Sequence, residues 1–496
     1  AYREGAAFEL DADYVVIGSG AGGATAALQL ARGGASVCLV EAGPWRMPSD
    51  YPESMYGALR DMTDDWGAIL AQGRAFWPVV QARVMGGTTT INSAIVVRTP
   101  GDIFAQWERE HGVGGDAMAD AIWTYQDELE VELNVEPVPD AAMGRSNHLA
   151  VAGGKKIGIE SHVLERNVKD CAGSGQCLQG CRLGHKQSTQ LKWIPEVLTR
   201  GGDVLSCAPV AKLRMEGNRV IGASGRFQHP QTRKKGAPFF VRAKKAVLLA
   251  ASVTHTPVIL MASGIKNKSV GGYFRAHPGA AVCGVYDEAI DMNAGATQGW
   301  ASIEYRKDPG IKLESLSLPA EVVASRLAGG GRALMERLTE YRQLATWVAA
   351  VRAETVGRVK SFMGKPSVKY SMDKADMHRL RYGLHAVSRM HFAMGAKRVI
   401  PGVAGMDYAL TADNVDLLLD APLDPRCYVG ICTHLFGGAV MGTDKQTSVC
   451  DGKGHVHDVE GLVIADAAQI PTNLGVNPQH TIMGLARLRA DELLAA

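Results

Sequence analysis

The first residues in this chain whose types and spacing could do chemistry form a glycine-rich loop followed at a distance by an acid. Asp13-Tyr-Val-Val-Ile-Gly-Ser-Gly-Ala-Gly-Gly sets Gly18, Gly20 and Gly23 in a G-x-G-x-x-G pattern, and Glu41 ends the apolar run Ser36-Val-Cys-Leu-Val. Gly18 permits a tight turn, Gly20 lets backbone approach a pyrophosphate, and Gly23 lets a helix pack closely on a strand. A helix starting there turns free N–H groups and a positive dipole end toward the phosphates. Glu41, about 20 residues on, is spaced to accept both ribose hydroxyls of an adenosine. A second cluster, Cys171, Cys177 and Cys181, reads C-x5-C-x3-C, too loose for a redox C-x-x-C. Three thiolates could ligate a [3Fe–4S] cluster, with Gly173, Gly175 and Gly180 leaving N–H groups free for the sulfides. With His185 as a fourth ligand the same residues could hold zinc. A tight loop without metal accounts for them equally.

The glycine fingerprint carries meaning only inside a βαβ unit. Residues 13–17 read as a strand, 24–32 as a helix and 35–40 as a second strand, which completes that unit. The chain is therefore expected to bind a dinucleotide. Further along, residues 79–98 contain a second glycine-rich stretch, Arg83-Val-Met-Gly-Gly-Thr-Thr-Thr-Ile-Asn, and 103–110 and 123–133 look helical. Short β-like runs at 203–207, 211–216, 219–228, 239–242 and 246–250 alternate with turn residues, and Gly217-Asn218 predicts a hairpin. Residues 279–287 and 298–305 read as strands. The spacing of Leu334, Leu338, Tyr341, Ala345 and Val348 predicts one helix over 332–351, apolar on one side and arginine-rich on the other. Residues 373–395 predict another helix. The chain closes with a buried strand at 461–466, a Pro/Asn/Gly loop and a helix from Thr481.

At 496 residues the chain is long enough for two or three domain-sized units. Its 46% hydrophobic and 21% charged content is ordinary for a globular protein, and a net charge of +2 gives no nucleic-acid footprint. Nine scattered cysteines argue against a disulfide framework. No n-region and apolar h-region are visible, so no secretion signal is expected in this chain, and the compartment, bacterial cytoplasm or periplasm, stays open. The longest run free of Asp, Glu, Lys and Arg, 246–265, is broken by Ser252, Thr254, His255, Thr256 and Pro257. It reads as strand, turn and helix start, so no transmembrane segment is expected.

Taken together these stretches resemble the glucose-methanol-choline (GMC) flavin oxidoreductases over nearly the whole chain. The loop after Asp13 matches the family's FAD fingerprint, and Arg83 to Asn92 matches its first signature. Ser252-Val-Thr-His-Thr-Pro-Val-Ile-Leu-Met-Ala-Ser-Gly-Ile is similar to the second, with Val270 to Pro278 after it. His434-Leu-Phe-Gly-Gly and Val476-Asn477-Pro478 look like the two active-site stretches. The resemblance implies an α/β (α+β) fold: a Rossmann-like FAD-binding domain and a discontinuous substrate domain built on an antiparallel sheet. The expected division assigns 1–110, 165–278 and 425–496 to FAD, and 111–164 and 279–424 to substrate. It implies that Gly86, Gly87 and Asn92 lie near the isoalloxazine ring and Asp466 near the pyrophosphate or ribityl chain. Some relatives attach FAD through a histidine just before the position of Asn92; here Ile91 stands there, so FAD is expected to be non-covalent.

The chemistry the resemblance implies is oxidation of a small-molecule alcohol to an aldehyde or ketone. His434 would take the hydroxyl proton, its type suited to a base near neutrality, and a hydride would pass to flavin N5. Asn477 would orient and stabilise the substrate oxygen as a neutral hydrogen-bond partner. His480 competes for that second role, as some relatives use histidine there. The cysteine spacing looks like that of catalytic subunits of bacterial FAD-dependent glucose and sorbitol dehydrogenases. That leaves an alternative: a subunit acting on a sugar or polyol, with an iron–sulfur relay to an electron-transfer partner. Residues 280–411, which supply most of the pocket in this family, carry no clear sugar-stacking platform, so an apolar or aromatic alcohol is favoured.

Overall fold

The computed structural model describes residues 2–496. The βαβ unit forms as the sequence predicts: strand β1 (Phe8–Ile17), helix α1 (Ala21–Arg32) and strand β2 (Val37–Val40). β1 pairs parallel with β2, Ile17 opposite Val40, and on its other edge with a long strand β3 (Lys235–Leu249), Ile17 opposite Leu249. Asp203–Leu205 extends this sheet in parallel beyond β2, and Leu462–Ile464 joins it in parallel on β3. Arg219–Gln228 and Val210–Glu216 complete it as an antiparallel hairpin, turned at Gly217-Asn218. The predicted runs at 239–242 and 246–250 are therefore one strand. Val15, Val16, Leu39, Val247 and Leu248 are fully buried, as strands covered on both faces must be.

α1 is short-sided where it meets the sheet. A Cβ on Gly22 would fall 1.9 Å from the Ala465 carbonyl oxygen, and one on Gly23 would fall 1.9 Å from that of Gly18. Only glycine lets the helix sit this close to the strand ends that hold the loop.

A second sheet is antiparallel. Its centre is β4 (Arg275–Val285), flanked by β6 (Leu344–Val351) on one edge and by Arg398–Ile400 and β7 (Ile431–Phe436) on the other. β5 (Ile311–Ser315) pairs with β6, and Trp300–Ser302 and His162–Val163 finish the sheet. The helix Lys374–Ala393, capped by the Asp373 side chain accepting from the Asp376 N–H, packs on this sheet. The C-terminal helix α2 (Gln479–Leu494) returns to pack on α1.

The single helix predicted over 332–351 does not form. Arg332–Leu338 is helical, Tyr341–Gln343 is a 3-10 turn, and the remainder is strand β6. Leu-Ala-Thr-Trp-Val-Ala-Ala-Val is apolar but for the buried Thr346, paired along both edges and buried on nearly every residue. Such a strand has no alternation to display, and its apolar residues supply helix-like spacing by default. The arginines of the expected polar face go separate ways: Arg342 to Asp291, Arg337 over the Tyr408 ring, Arg352 to Asp102.

Candidate active site

The first half of the site is built by two glycine loops laid against each other. Ser19 joins them: its N–H and hydroxyl donate to one Glu41 carboxylate oxygen at 3.0 and 2.6 Å, while its Oγ accepts from the Gly86 N–H at 2.9 Å. The other Glu41 oxygen accepts from the Gly43 N–H at 2.7 Å. Glu41 is thus fixed at the end of β2 with each oxygen retaining capacity to accept again. Gly18 has φ 100°, and a Cβ there would strike the Ala250 carbonyl at 2.2 Å. A Cβ on Gly20, by contrast, would meet nothing within 4 Å. The backbone at Gly20 therefore faces open space beside the N-terminus of α1, the cradle a pyrophosphate needs. These residues fit a dinucleotide.

Asn92 closes the second loop. Its Oδ1 accepts from the Ala94 N–H at 2.9 Å and its Nδ2 donates to Gln479 Oε1 at 2.7 Å, so this loop is tied to the first residue of α2. Ile91, before it, is buried. Asp466 caps the turn after Leu462–Ile464, accepting from Ala468 N–H, Ser252 N–H and Thr256 Oγ1, each at 2.7 Å. Burial pushes its pKa up to about 6 against the pull of those donors. Asp466 thus clasps the start of the Ser252–Ala262 helix to the end of the parallel sheet, close behind Gly22 of α1.

The second half lies where β4, β5 and β7 meet the loop before α2. Ala276 of β4 pairs with Leu435 of β7, while His277 pairs with Thr433. His434 is the extra residue between them, a β-bulge with φ 47° in the left-handed region. Bulges re-aim side chains, and non-glycine residues held at positive φ cluster at functional sites. The His434 Nδ1 lies 3.1 Å from His277 Nδ1, and its Nε2 lies 3.2 Å from Asn477 Nδ2. Asn477 Oδ1 in turn accepts from Lys312 Nζ, which also donates to Glu314 Oε1 at 2.6 Å. Lys312 is fully buried, and Glu314 and Asn477 are nearly so.

The charges in this cluster set its protonation. Burial pushes the His434 pKa down to about 4, with the Glu314 charge opposing and the Lys312 charge adding. Burial pushes His277 down as well, reinforced by His434. Burial would raise Glu314, but Lys312 and the two histidines override it and bring the carboxyl to about 2. At neutral pH the site holds two neutral imidazoles beside a buried ion pair.

His480, the competitor for the second role, points elsewhere. It is fully buried with Nε2 3.6 Å from Glu130 Oε1, on the side of α2 that faces the helix Gly115–Glu132. Sequence reading missed Ser19, Lys312 and Glu314, and His277 was read only as part of a motif. Lys312 and Glu314 alternate along Ile-Lys-Leu-Glu-Ser, the period-2 signal of a strand with one polar side, so the pattern was present; that the polar side faces a site was not.

The cysteine loop does not assemble a metal centre. Cys171, Cys177 and Cys181 line one small cavity with His185 and Lys186, yet among the described residues no group of three or more His, Cys, Asp or Glu side chains is arranged to hold a metal ion. The Cys177 sulfur accepts from Arg166 Nη2 at 2.8 Å, and Lys186 Nζ donates to the carbonyls of Cys177 and Asn92, both at 2.8 Å. Burial raises the Cys177 thiol, but the Arg166 and Lys186 charges outweigh it and bring the pKa to about 7. The His185 ring bonds the Asp170 carbonyl. Among the described residues neither the expected [3Fe–4S] set nor the zinc set is arranged as a ligand set, and two buried cations attend the Cys177 sulfur.

Comparison with known proteins agrees with this geometry. A family model described as GMC oxidoreductase matches residues 12–279, and its C-terminal counterpart matches 355–486. An uncharacterized GMC-type oxidoreductase of Mycobacterium tuberculosis is 32% identical over 490 residues, covering 98% of this chain and 76% of the relative. A long-chain-alcohol oxidase of Arabidopsis thaliana is 26% identical over 519 residues, covering 98% and 67%. Among solved structures, a formate oxidase variant of Aspergillus oryzae RIB40 superposes with a TM-score of 0.73 at 17% identity, covering 99% of both chains. That likeness bears on the fold: a parallel FAD-binding sheet beside an antiparallel one. Among the described residues no helix is long and apolar enough to cross a membrane.

Proposed function

The chain belongs to the GMC oxidoreductase family, a family of FAD enzymes, and from that premise we propose that it oxidises an alcohol to an aldehyde or ketone with FAD bound non-covalently. When bound, FAD supplies the hydride acceptor. Gly18, Gly20 and Gly23 with the α1 N-terminus would hold its pyrophosphate and Glu41 its adenosine ribose. The Gly86-Gly87 loop and Asn92 would hold the ring end, and Asp466 would buttress the cradle from behind. Ile91 offers no nucleophile for a covalent link. In this reading residues 1–110, 165–278 and 425–496 serve the cofactor, and 111–164 and 279–424 the substrate.

The observation that carries the proposal is the 3.2 Å approach of Asn477 Nδ2 to His434 Nε2. A substrate hydroxyl lying against both, in place of their mutual contact, donates its proton to His434 Nε2 and accepts from Asn477 Nδ2. Proton removal and stabilisation of the resulting oxygen charge are thereby assigned to two fixed groups in an enclosed site. His434 is neutral at working pH because burial holds its pKa near 4, so it is free to accept. An alcohol fits this pair because it presents a donor and an acceptor on one oxygen. The likeness to a long-chain-alcohol oxidase supports the same substrate class. An iron–sulfur relay forms no part of the proposal.

The test is anaerobic. The purified holoprotein is mixed with aliphatic and aromatic primary alcohols, with polyols and sugars for comparison, and the oxidised-flavin absorption is followed. Bleaching by an alcohol is the expected result. Bleaching by none of the alcohols would overturn the substrate class, and a colourless protein with no releasable flavin would overturn the cofactor.

A further inference from the structure

Lys312 has no place in the reaction as described, yet it is a fully buried cation one side chain away from the base. It spends one N–H on Glu314 and another on Asn477 Oδ1. An ammonium has three donors and no acceptor. The Asn477 amide atom facing Lys312 must therefore be its oxygen, whichever way the amide could otherwise turn. That leaves the amide nitrogen facing His434 Nε2 at 3.2 Å. An amide nitrogen only donates, so His434 Nε2 must present a lone pair to it. A neutral imidazole with a bare Nε2 carries its proton on Nδ1, which then donates across 3.1 Å to His277 Nδ1.

The direction of every hydrogen bond in the chain is thus set from one end. We propose that Lys312 is a positioning residue that, through the Asn477 amide, holds His434 in the Nδ1–H tautomer and points the Asn477 N–H at the substrate oxygen. This rests on the reading of His434 and Asn477 given above. Were the amide free to flip, its oxygen would face His434 and favour a proton on Nε2, where the substrate's proton must go. The oxygen-stabilising donor would be lost in the same turn. Glu314 completes the device by neutralising Lys312, so that the charge can remain buried without a solvent partner. The charged and titratable groups facing His434 are Lys312 and Glu314 from β5 and His277 from β4.

The test compares the wild-type holoenzyme with one carrying Glu314→Gln and Lys312→Met, so that neither a carboxylate nor an ammonium is left buried and unpaired. The first readout uses no substrate: nitrogen-15 NMR of labelled histidine near pH 7, with His434 identified by its loss in His434→Gln. The wild type should show His434 protonated on Nδ1 only, and the double variant a mixture of tautomers. A merely structural role leaves this readout unmoved. Because the two neutral tautomers differ in dipole, the Lys312 change is repeated in an Asn477→Ala background, where it should leave the tautomer unmoved. A direct field effect of the charge, which would still move it there, overturns the proposal. Lys312→Arg, again a donor-only head, should restore the single tautomer. The second readout is substrate-driven flavin reduction, expected to slow on the order of 10- to 100-fold in the double variant. Should methionine prevent folding, Lys312→Gln, which can accept as well as donate, releases the amide equally. One and the same tautomer in all variants overturns the proposal. Failure of every alcohol to reduce the wild-type flavin overturns the substrate reading instead and leaves the tautomer result standing.

Discussion

Gly87 and Gly20 face each other so closely that a Cβ on Gly87 would sit 2.8 Å from the Gly20 Cα, whereas a Cβ on Gly20 would meet nothing. The two glycines are demanded for different reasons. Gly87 has φ 53° and is pinned by its neighbour; Gly20 has φ −68°, which any residue adopts. Gly20→Ala should therefore fold with unchanged stability as the flavin-free protein, yet bind FAD far more weakly, since the methyl occupies the cradle. Gly87→Ala should lose stability with or without FAD. Thermal melts of both variants, stripped and reconstituted, check this; normal FAD affinity in Gly20→Ala would show that the pyrophosphate lies elsewhere.

The depressed pKa of His434 predicts an unusual acid limb. In its proposed role as base His434 works only when neutral, so flavin reduction by an alcohol should keep its rate well below the ordinary imidazole pKa of about 6.5 and fall only as pH drops through about 4. The linkage has the same sign. The unfolded chain protonates this histidine near 6.5 and the native chain near 4, so His434 contributes stability above about 6.5 that is lost as pH falls between those values. Rapid-mixing pH jumps into the pH 4 to 7 range, too brief for unfolding, read the rate directly. A limb centred near 6.5 would mean that the ring is solvated in the holoenzyme.

Much of the fold was legible because its signals are local. The loop from Gly18 to Gly23, the strands around it and Glu41 lie within one stretch, and backbone geometry fixes their meaning. The Gly86-Gly87 loop and the stretches around His434 and Asn477 stood out through their order along the chain, and the structure brings His434 and Asn477 together. What could not be read is contact between distant segments. Ser19 looked like filler until Gly86 arrived beside it. Lys312 and Glu314 resemble any exposed strand edge, and only the three-dimensional approach of Asn477, 165 residues away, gives them a role. The helix predicted over 332–351 failed for a related reason: β6 is fully paired and doubly buried, and its partners lie 59 to 71 residues away on one edge and 32 to 40 on the other.

The buried ion pair makes a stability prediction distinct from catalysis. Glu314→Ala strands the Lys312 ammonium where its side chain is 0% exposed, and should cost about 3–5 kcal/mol in denaturant unfolding of the holoprotein. The double change Glu314→Gln with Lys312→Met should recover most of that loss. As a control, the Lys445–Asp458 pair is 2.5 Å long but 57% and 75% exposed, so Lys445→Met should cost less than about 1 kcal/mol. Equal losses for the buried and exposed single variants would mean that water reaches Lys312.

Asn477 and His480 sit three residues apart, and the structure separates their work by the elements they face. Asn477 reaches across to His434 and Lys312 on the antiparallel sheet. His480 turns back toward Glu130, where burial would raise the carboxyl but the imidazole and Arg98 outweigh it and bring it to about 2. Removing a donor aimed at developing oxygen charge typically costs about 100- to 1000-fold in rate, so Asn477→Ala should slow flavin reduction by that order while FAD content stays normal. His480→Gln should do the opposite, lowering the melting temperature with little change in the reduction rate per bound flavin. Parallel measurement of flavin content, melting temperature and single-turnover reduction distinguishes the two. A rate loss in His480→Gln as large as that in Asn477→Ala would make His480 part of the reacting site and reassign the second role.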